Sequence, residues 1–156
     1  MLEVNIPGRG SLGLEYLVLD INGTISRDGA LIEGVSGRLD ALRGQFDITA
    51  VTADTFGKAR ELGERLKIKL HRLETGKEAE QKAGFVRRLG AGVTAAMGNG
   101  ANDALMLRES ALGICVLGQE GTAADAAGAA DLLAPDINAA LDLLIRPTRL
   151  IATLRR

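Results

Sequence analysis

Asp20 ends an apolar run, Leu17-Val18-Leu19, and is followed by Ile21-Asn22-Gly23-Thr24. Open α/β sheets bind their ligands at the carboxyl ends of buried strands, so a carboxylate there is a candidate nucleophile. The bland alternative is an Asx-type turn in which Asn22-Gly23 supplies the positive dihedral angles. Three more stretches carry complementary groups. Thr52 follows Val51 and begins Thr52-Ala53-Asp54; its hydroxyl could bind an anion at a helix start, or Thr52 or Asp54 could simply cap that helix. Lys82 sits on the face of a helix predicted over 78–89, where it could neutralise a phosphate or lie solvated on the surface. Gly98-Asn99-Gly100-Ala101-Asn102-Asp103 is a glycine-rich, oxygen-rich loop opening a helix. Converging oxygens suit Mg2+, which takes one or two carboxylates and keeps several waters. Asn102 or Asp103 could equally be caps.

To meet, these groups need strands whose ends converge, and the periodicity supplies them. Leu2-Glu-Val-Asn-Ile6 alternates, Pro7 to Gly10 is a turn cluster, and Leu12, Leu14 and Tyr16 alternate again, which predicts a hairpin over 1–15 leading into the sheet. Asp28-Gly29 predicts a small flap hairpin over 25–32, beside Asp20. Helices are predicted at Val35 to Leu42, Phe56 to Leu66, 78–89, Ala101 to Glu109, Thr122 to Ala129 and Ile137 to Ile145. Strands are predicted at Phe46 to Val51, Ile68 to Leu73, Val93 to Met97, Leu112 to Leu117 and Asp131 to Ala134. Repeated β-then-α units imply an α/β fold whose parallel sheet is covered on both faces. Leu150, Ile151 and Leu154 mark a short amphipathic helix in the tail, 146–156, packed on the domain or on a neighbouring subunit.

The length, 156 residues, fits one domain over 1–156. Nineteen basic and 20 acidic residues leave a formal charge of −1, and aromatics make up 3%, so nothing points to nucleic acid or to an electrostatic membrane surface. Glu3, Asn5, Pro7 and Arg9 interrupt the stretch where a signal peptide would be apolar, and no run is long enough to span a bilayer, so the expected location is cytoplasmic. Cys115, the only cysteine, reads as a buried hydrophobe. His71, the only histidine, reads as a surface residue at a solvated strand end, between Lys69 and Arg72.

Taken in order, the four stretches resemble the haloacid dehalogenase-like superfamily, and within it the phosphorylation domain of P-type ATPases and the soluble, capless phosphatases related to it. Asp20-Ile-Asn-Gly-Thr24 matches the motif whose first Asp is phosphorylated, and Thr52-Ala-Asp54 matches Thr-Gly-Asp. Lys82, with Val86 and Leu89, matches the motif lysine and its helix; Gly98-Asn-Gly-Ala-Asn-Asp103 matches Gly-Asp-Gly-x-Asn-Asp. The likeness covers roughly residues 15–145. It implies a Rossmann-like three-layer sandwich without a cap, and a Mg2+-dependent phosphohydrolase forming an aspartyl-phosphate on Asp20. In that pattern Asp20, the backbone carbonyl of Asn22, Asn99 and Asp103 hold the metal, while Thr52 and Lys82 hold the phosphoryl oxygens of a small phosphorylated substrate.

Two departures matter. Asn22 stands where family phosphatases carry the Asp that acts as general acid and base, and an amide cannot exchange a proton near neutral pH. Asn99 replaces the first acid of the metal loop and removes one negative charge, which predicts weaker metal binding. Activity is therefore expected on anhydrides, acyl phosphates or aryl phosphates, whose leaving groups need little protonation. Both amides precede glycine, so partial deamidation to a carboxylate is a further expectation. The P-type nucleotide-binding domain and membrane helices have no counterpart here, which removes pumping. A capless site is open, so a homo-oligomer in which the flap takes part is expected. The rivals are a catalytically weak phosphate-binding or regulatory module and a metal-independent dehalogenase.

Overall fold

In the computed structural model residues 1–53 and 58–156 are described. The sheet that carries the chemistry has six parallel strands in the order β10-β9-β8-β3-β6-β7. They are β3 (Tyr16–Asp20), β6 (Asp47–Thr52), β7 (Lys69–Arg72), β8 (Thr94–Gly98), β9 (Leu112–Val116) and β10 (Leu132–Ala134). β3 lies inside the sheet, with Asp20 opposite Val51 and Leu19 opposite Met97.

Strand side chains alternate between two cores, as the period of two requires. Leu17, Leu19, Ile48, Ala50, Met97 and Ile114 face α1 (Val35–Leu42), α2 (Lys58–Leu66) and α6 (Ile137–Ile145), burying Leu39, Leu66 and Leu141 among others. Val18, Val51, Ala96 and Cys115 face α3 (Glu78–Leu89), α4 (Ala104–Glu109) and α5 (Ala124–Ala129), against Val86, Met106, Leu107 and Ala126. Cys115 is thus the buried hydrophobe the sequence suggests. Asp20 follows Val18 by two residues, so its side chain belongs to the α3 side of the sheet.

The predicted elements are present, with shifted ends. Strands β6, β7, β8 and β10 begin a residue later than predicted, because strand pairing, not apolarity, sets their limits. Ala101–Asp103 is a 3₁₀ turn ahead of α4, not the first turn of one continuous helix. The hairpin of β1 (Leu2–Ile6) and β2 (Gly10–Leu14) forms a separate antiparallel sheet and does not run into the main one. Glu15 is the break: its N–H donates to Val93 O at 2.8 Å and its carbonyl accepts from Asp47 N at 2.9 Å. α7 (Pro147–Leu154) is the expected tail helix, with Leu150 buried; it packs on α6 and β1, and Arg156 N donates to Pro7 O at 3.0 Å.

The flap pairs β4 (Ser26–Arg27) with β5 (Ala30–Leu31), and Asp28 (φ 50°) with Gly29 (φ 79°) makes the tight turn that Asp-Gly favours. Between Thr24 and Thr52 the described residues add only α1, so no cap stands over the strand ends. His71 is not the freely solvated residue expected from its basic neighbours: its ring stacks on Phe85 at 4.2 Å and 16°, and it is half-buried. The start of the helix predicted from Phe56, and Asp54 itself, lie outside the described residues. Among the described residues no helix is long and apolar enough to cross a membrane.

Candidate active site

α3 buries Lys82, Ala83 and Val86, one stripe at helical spacing, and that stripe carries the Lys82 ammonium to the end of β3. Lys82 is only 1% exposed, so the surface-lysine alternative fails. Its Nζ donates to Asp20 Oδ1 at 2.7 Å and to Asp103 Oδ1 at 2.6 Å. Asp103 reaches this position from the loop after β8. Its Oδ2 accepts from the N–H groups of Asn99 (3.0 Å) and Gly100 (2.9 Å), so Asp103 is both the turn's cap and an ion partner. Gly98 is required by this approach, since a Cβ there would stand 2.5 Å from Asp103 Cγ.

On the other side of Asp20, Thr24 Oγ1 lies 3.0 Å from Asp20 Oδ2 and 3.1 Å from Asn99 Oδ1. One hydroxyl proton serves one of these acceptors at a time. Asn99 is fixed by its NH2, which donates to Gly121 O at 3.0 Å. Gly23, at φ 78°, leaves room for that amide: a Cβ on it would come 2.5 Å from Asn99 Nδ2.

Asp20, Lys82, Asn99 and Asp103 therefore share one buried hydrogen-bonded cluster. Thr52 is brought to the neighbouring strand end, one residue past the partner of Asp20, and is buried. Asn22 is at the rim instead, exposed, in a turn where Ile21 O accepts from the N–H groups of Ile25 and Ser26. It lines a cavity of about 490 Å3 with Ser26, Asp28, Gly29 and Lys58. Thr24 is the residue that motif matching left without a role; its signal was a hydroxyl set one turn beyond the carboxylate. The two amide nitrogens that deamidation would need as nucleophiles are hydrogen-bonded, Gly23 N to Ser26 O at 2.9 Å and Gly100 N to Asp103, which works against that expectation.

No family model matches the chain. Two uncharacterized proteins of Methanocaldococcus jannaschii are similar to it. One is 50% identical over 60 residues, 38% of this chain and 64% of its own length. The other is 46% identical over 39 residues, 25% of this chain and 89% of its own length, and the chain belongs to the family of that short protein. Among solved structures, the 3-deoxy-D-manno-octulosonate 8-phosphate phosphatase of Moraxella catarrhalis, held with magnesium, phosphate and the sugar product, superposes with a TM-score of 0.70 at 16% identity. The match covers 91% of this chain and 94% of that one. A zinc-transporting P-type ATPase matches with a TM-score of 0.65 at 23% identity, over 80% of this chain and 20% of its own. The fold is that of the haloacid dehalogenase-like superfamily. The cobalt-bound phosphatase of the same name from Haemophilus influenzae shares it, at a TM-score of 0.66 and 13% identity, over 92% of this chain and 90% of that one.

On this haloacid dehalogenase-like sheet, two carboxylates face one ammonium, an excess of one negative charge in a buried place. Burial, and then the nearby Asp103, push Asp20 up to about 6 against the opposing pull of Lys82. Burial works against the Lys82 ammonium as well, but Asp20 and Asp103 outweigh it and hold its pKa above the usual lysine value. The donor set fits a hard divalent cation. Asn99 is anchored so that its oxygen, not its NH2, meets the Thr24 hydroxyl beside Asp20, and one or two carboxylates are what Mg2+ usually takes. Asp20, Asn99 and Asp103 are the residues that could supply those oxygens.

Proposed function

We propose that this chain is a phosphohydrolase whose nucleophile is Asp20. The observation that carries the reading is the buried Asp20–Lys82–Asp103 cluster at the carboxyl end of an inner parallel strand, on a fold shared with phosphatases that act on a small phosphorylated sugar acid. An Asp20 oxygen attacks phosphorus in line, the bond to the leaving oxygen breaks, and that group departs with the electron pair. Water then attacks the aspartyl-phosphate, freeing inorganic phosphate and regenerating the carboxylate. Lys82 and the Thr52 hydroxyl bind phosphoryl oxygens; Thr24 orients the carboxylate through Oδ2. A divalent ion, Mg2+ by ligand type, bound by Asp20, the Asn22 carbonyl, Asn99 and Asp103, would neutralise phosphoryl charge.

Asn22 supplies no proton to the departing oxygen, so anhydrides, acyl phosphates and aryl phosphates are the favoured substrates. The open rim, without a cap, favours a homo-oligomer in which a neighbour narrows the entrance; light scattering at micromolar concentration tests this, and a monomer contradicts it. A second reading, a phosphate-binding regulatory module, draws on the two neutral amides and on the carboxylate oxygens already engaged inside the cluster. Mass spectrometry after reaction with labelled acetyl phosphate separates the two. Label on Asp20, absent from Asp20→Ala, supports the hydrolase; phosphate binding with no label on Asp20 supports the module.

A further inference from the structure

The cavity beside the nucleophile turn is bounded by the flap on one side and by the start of α2 on the other. Its charged lining groups among the described residues are Asp28, on the flap turn, and Lys58, on α2. Lys58 reaches across: its Nζ stands 3.5 Å from where a side-chain carbon on Gly29 would be, in the space a glycine leaves open. Among the described residues this ammonium forms no ion pair, although an acidic group shares its cavity. Ile21 and Asn22, the two residues that follow Asp20, line the same space.

We propose that Lys58 binds a second anionic group of the substrate, carried on the leaving group, so that the substrate class is a phosphorylated carboxylate or a bisphosphate. The inference rests on Asp20 as the nucleophile and takes the leaving group to depart toward the cavity that the next two residues line. Asp28 opposes Lys58 in charge and lowers the affinity for the second anion. The cavity volume of about 490 Å3 accommodates a leaving group of several heavy atoms.

The test uses a matched pair, 4-carboxyphenyl phosphonate and its carboxamide, titrated calorimetrically against the whole chain with Mg2+; the corresponding phosphates are followed for turnover. The carboxylate is expected to bind about tenfold more tightly than the amide, the scale of one charge-assisted hydrogen bond at a half-open site. The ratio should fall to about one in Lys58→Ala and rise in Asp28→Asn, while carboxamide binding is unchanged in both. Raising salt from 50 mM to 500 mM should shrink it in the wild type, because exposed charges are screened. A wild-type ratio of one, a ratio unmoved by Lys58→Ala, or binding of neither phosphonate overturns the proposal. A tenfold ratio without turnover of either phosphate, or of p-nitrophenyl phosphate, faults the nucleophile and leaves the anion site standing. Turnover with a ratio of one faults Lys58 alone. Lys58→Ala should melt no lower than the wild type, so lost discrimination cannot be lost folding.

Discussion

Replacing Asp20 by asparagine should stabilise the metal-free protein at alkaline pH. Two buried carboxylates share the single ammonium of Lys82, at 2.7 and 2.6 Å, and burial, then the neighbouring charge of Asp103, raise Asp20 to about 6 from an ordinary 3.8. A folded-state pKa above the unfolded value means that the native protein holds this proton more tightly than the denatured chain does. The favourable contribution is complete below pH 3.8, and it is lost as pH rises through about 6. At about 1.4 kcal/mol per unit, that interval amounts to roughly 3 kcal/mol of lost stability at pH 8. The amide put in place of the carboxylate would carry no charge, would still accept from Thr24 or Lys82, and would leave Lys82 in a one-to-one pair with Asp103. The assay is thermal or urea unfolding in EDTA across pH 4.5 to 8.5. Asp20→Asn should exceed the wild type by on the order of 5 to 10 °C in Tm at pH 8, and the gap should narrow to about a third of that near pH 4.5. A difference that does not vary with pH, or a variant less stable at pH 8, would refute the charge argument. Added Mg2+ should raise the Tm of the wild type and hardly that of the variant.

Lys82→Met leaves two carboxylates buried against each other and should cost about 3 to 5 kcal/mol in urea unfolding at pH 8, with turnover abolished. Asn22→Asp should raise turnover of alkyl monoesters by about 10² to 10⁴ while changing aryl phosphates little, read as kcat/KM on both; an unchanged alkyl rate counts against Asn22 facing the leaving group. Gly98→Ala should displace Asp103, because the new Cβ falls 2.5 Å from its Cγ. The expected result is weakened Mg2+ binding by calorimetry and a loss of at least about 2 kcal/mol of stability.

The order of strands and helices could be read from periodicity because the four inner strands of the sheet are buried on both faces and the helices bury one. Strand ends could not, since they depend on which neighbour offers a free carbonyl: Glu15 looks like a continuation of the alternating pattern and is in fact the joint between two sheets. In the site, Asp20, Lys82 and Asp103 were recoverable from residue type and order. The sequence offered Asp103 as a cap or as a ligand without revealing that it caps its turn and pairs with Lys82 at once, or that one Thr24 hydroxyl stands between Asp20 and Asn99. The Thr24–Asn99 contact depends on side-chain direction across 75 residues of separation. His71 departs from its expected setting for the same reason, because its stacking partner Phe85 comes from another element.

The last helix covers the first strand. Leu2, Val4 and Ile6 belong to the same core as Leu150, and α7 lies against β1. A ribosome releases those three apolar residues long before α7 exists to cover them, so the hairpin of β1 and β2 waits, half-clad, through the synthesis of every element between. Deleting α7 should therefore expose sticky surface on β1, and the harm should show as aggregation during expression.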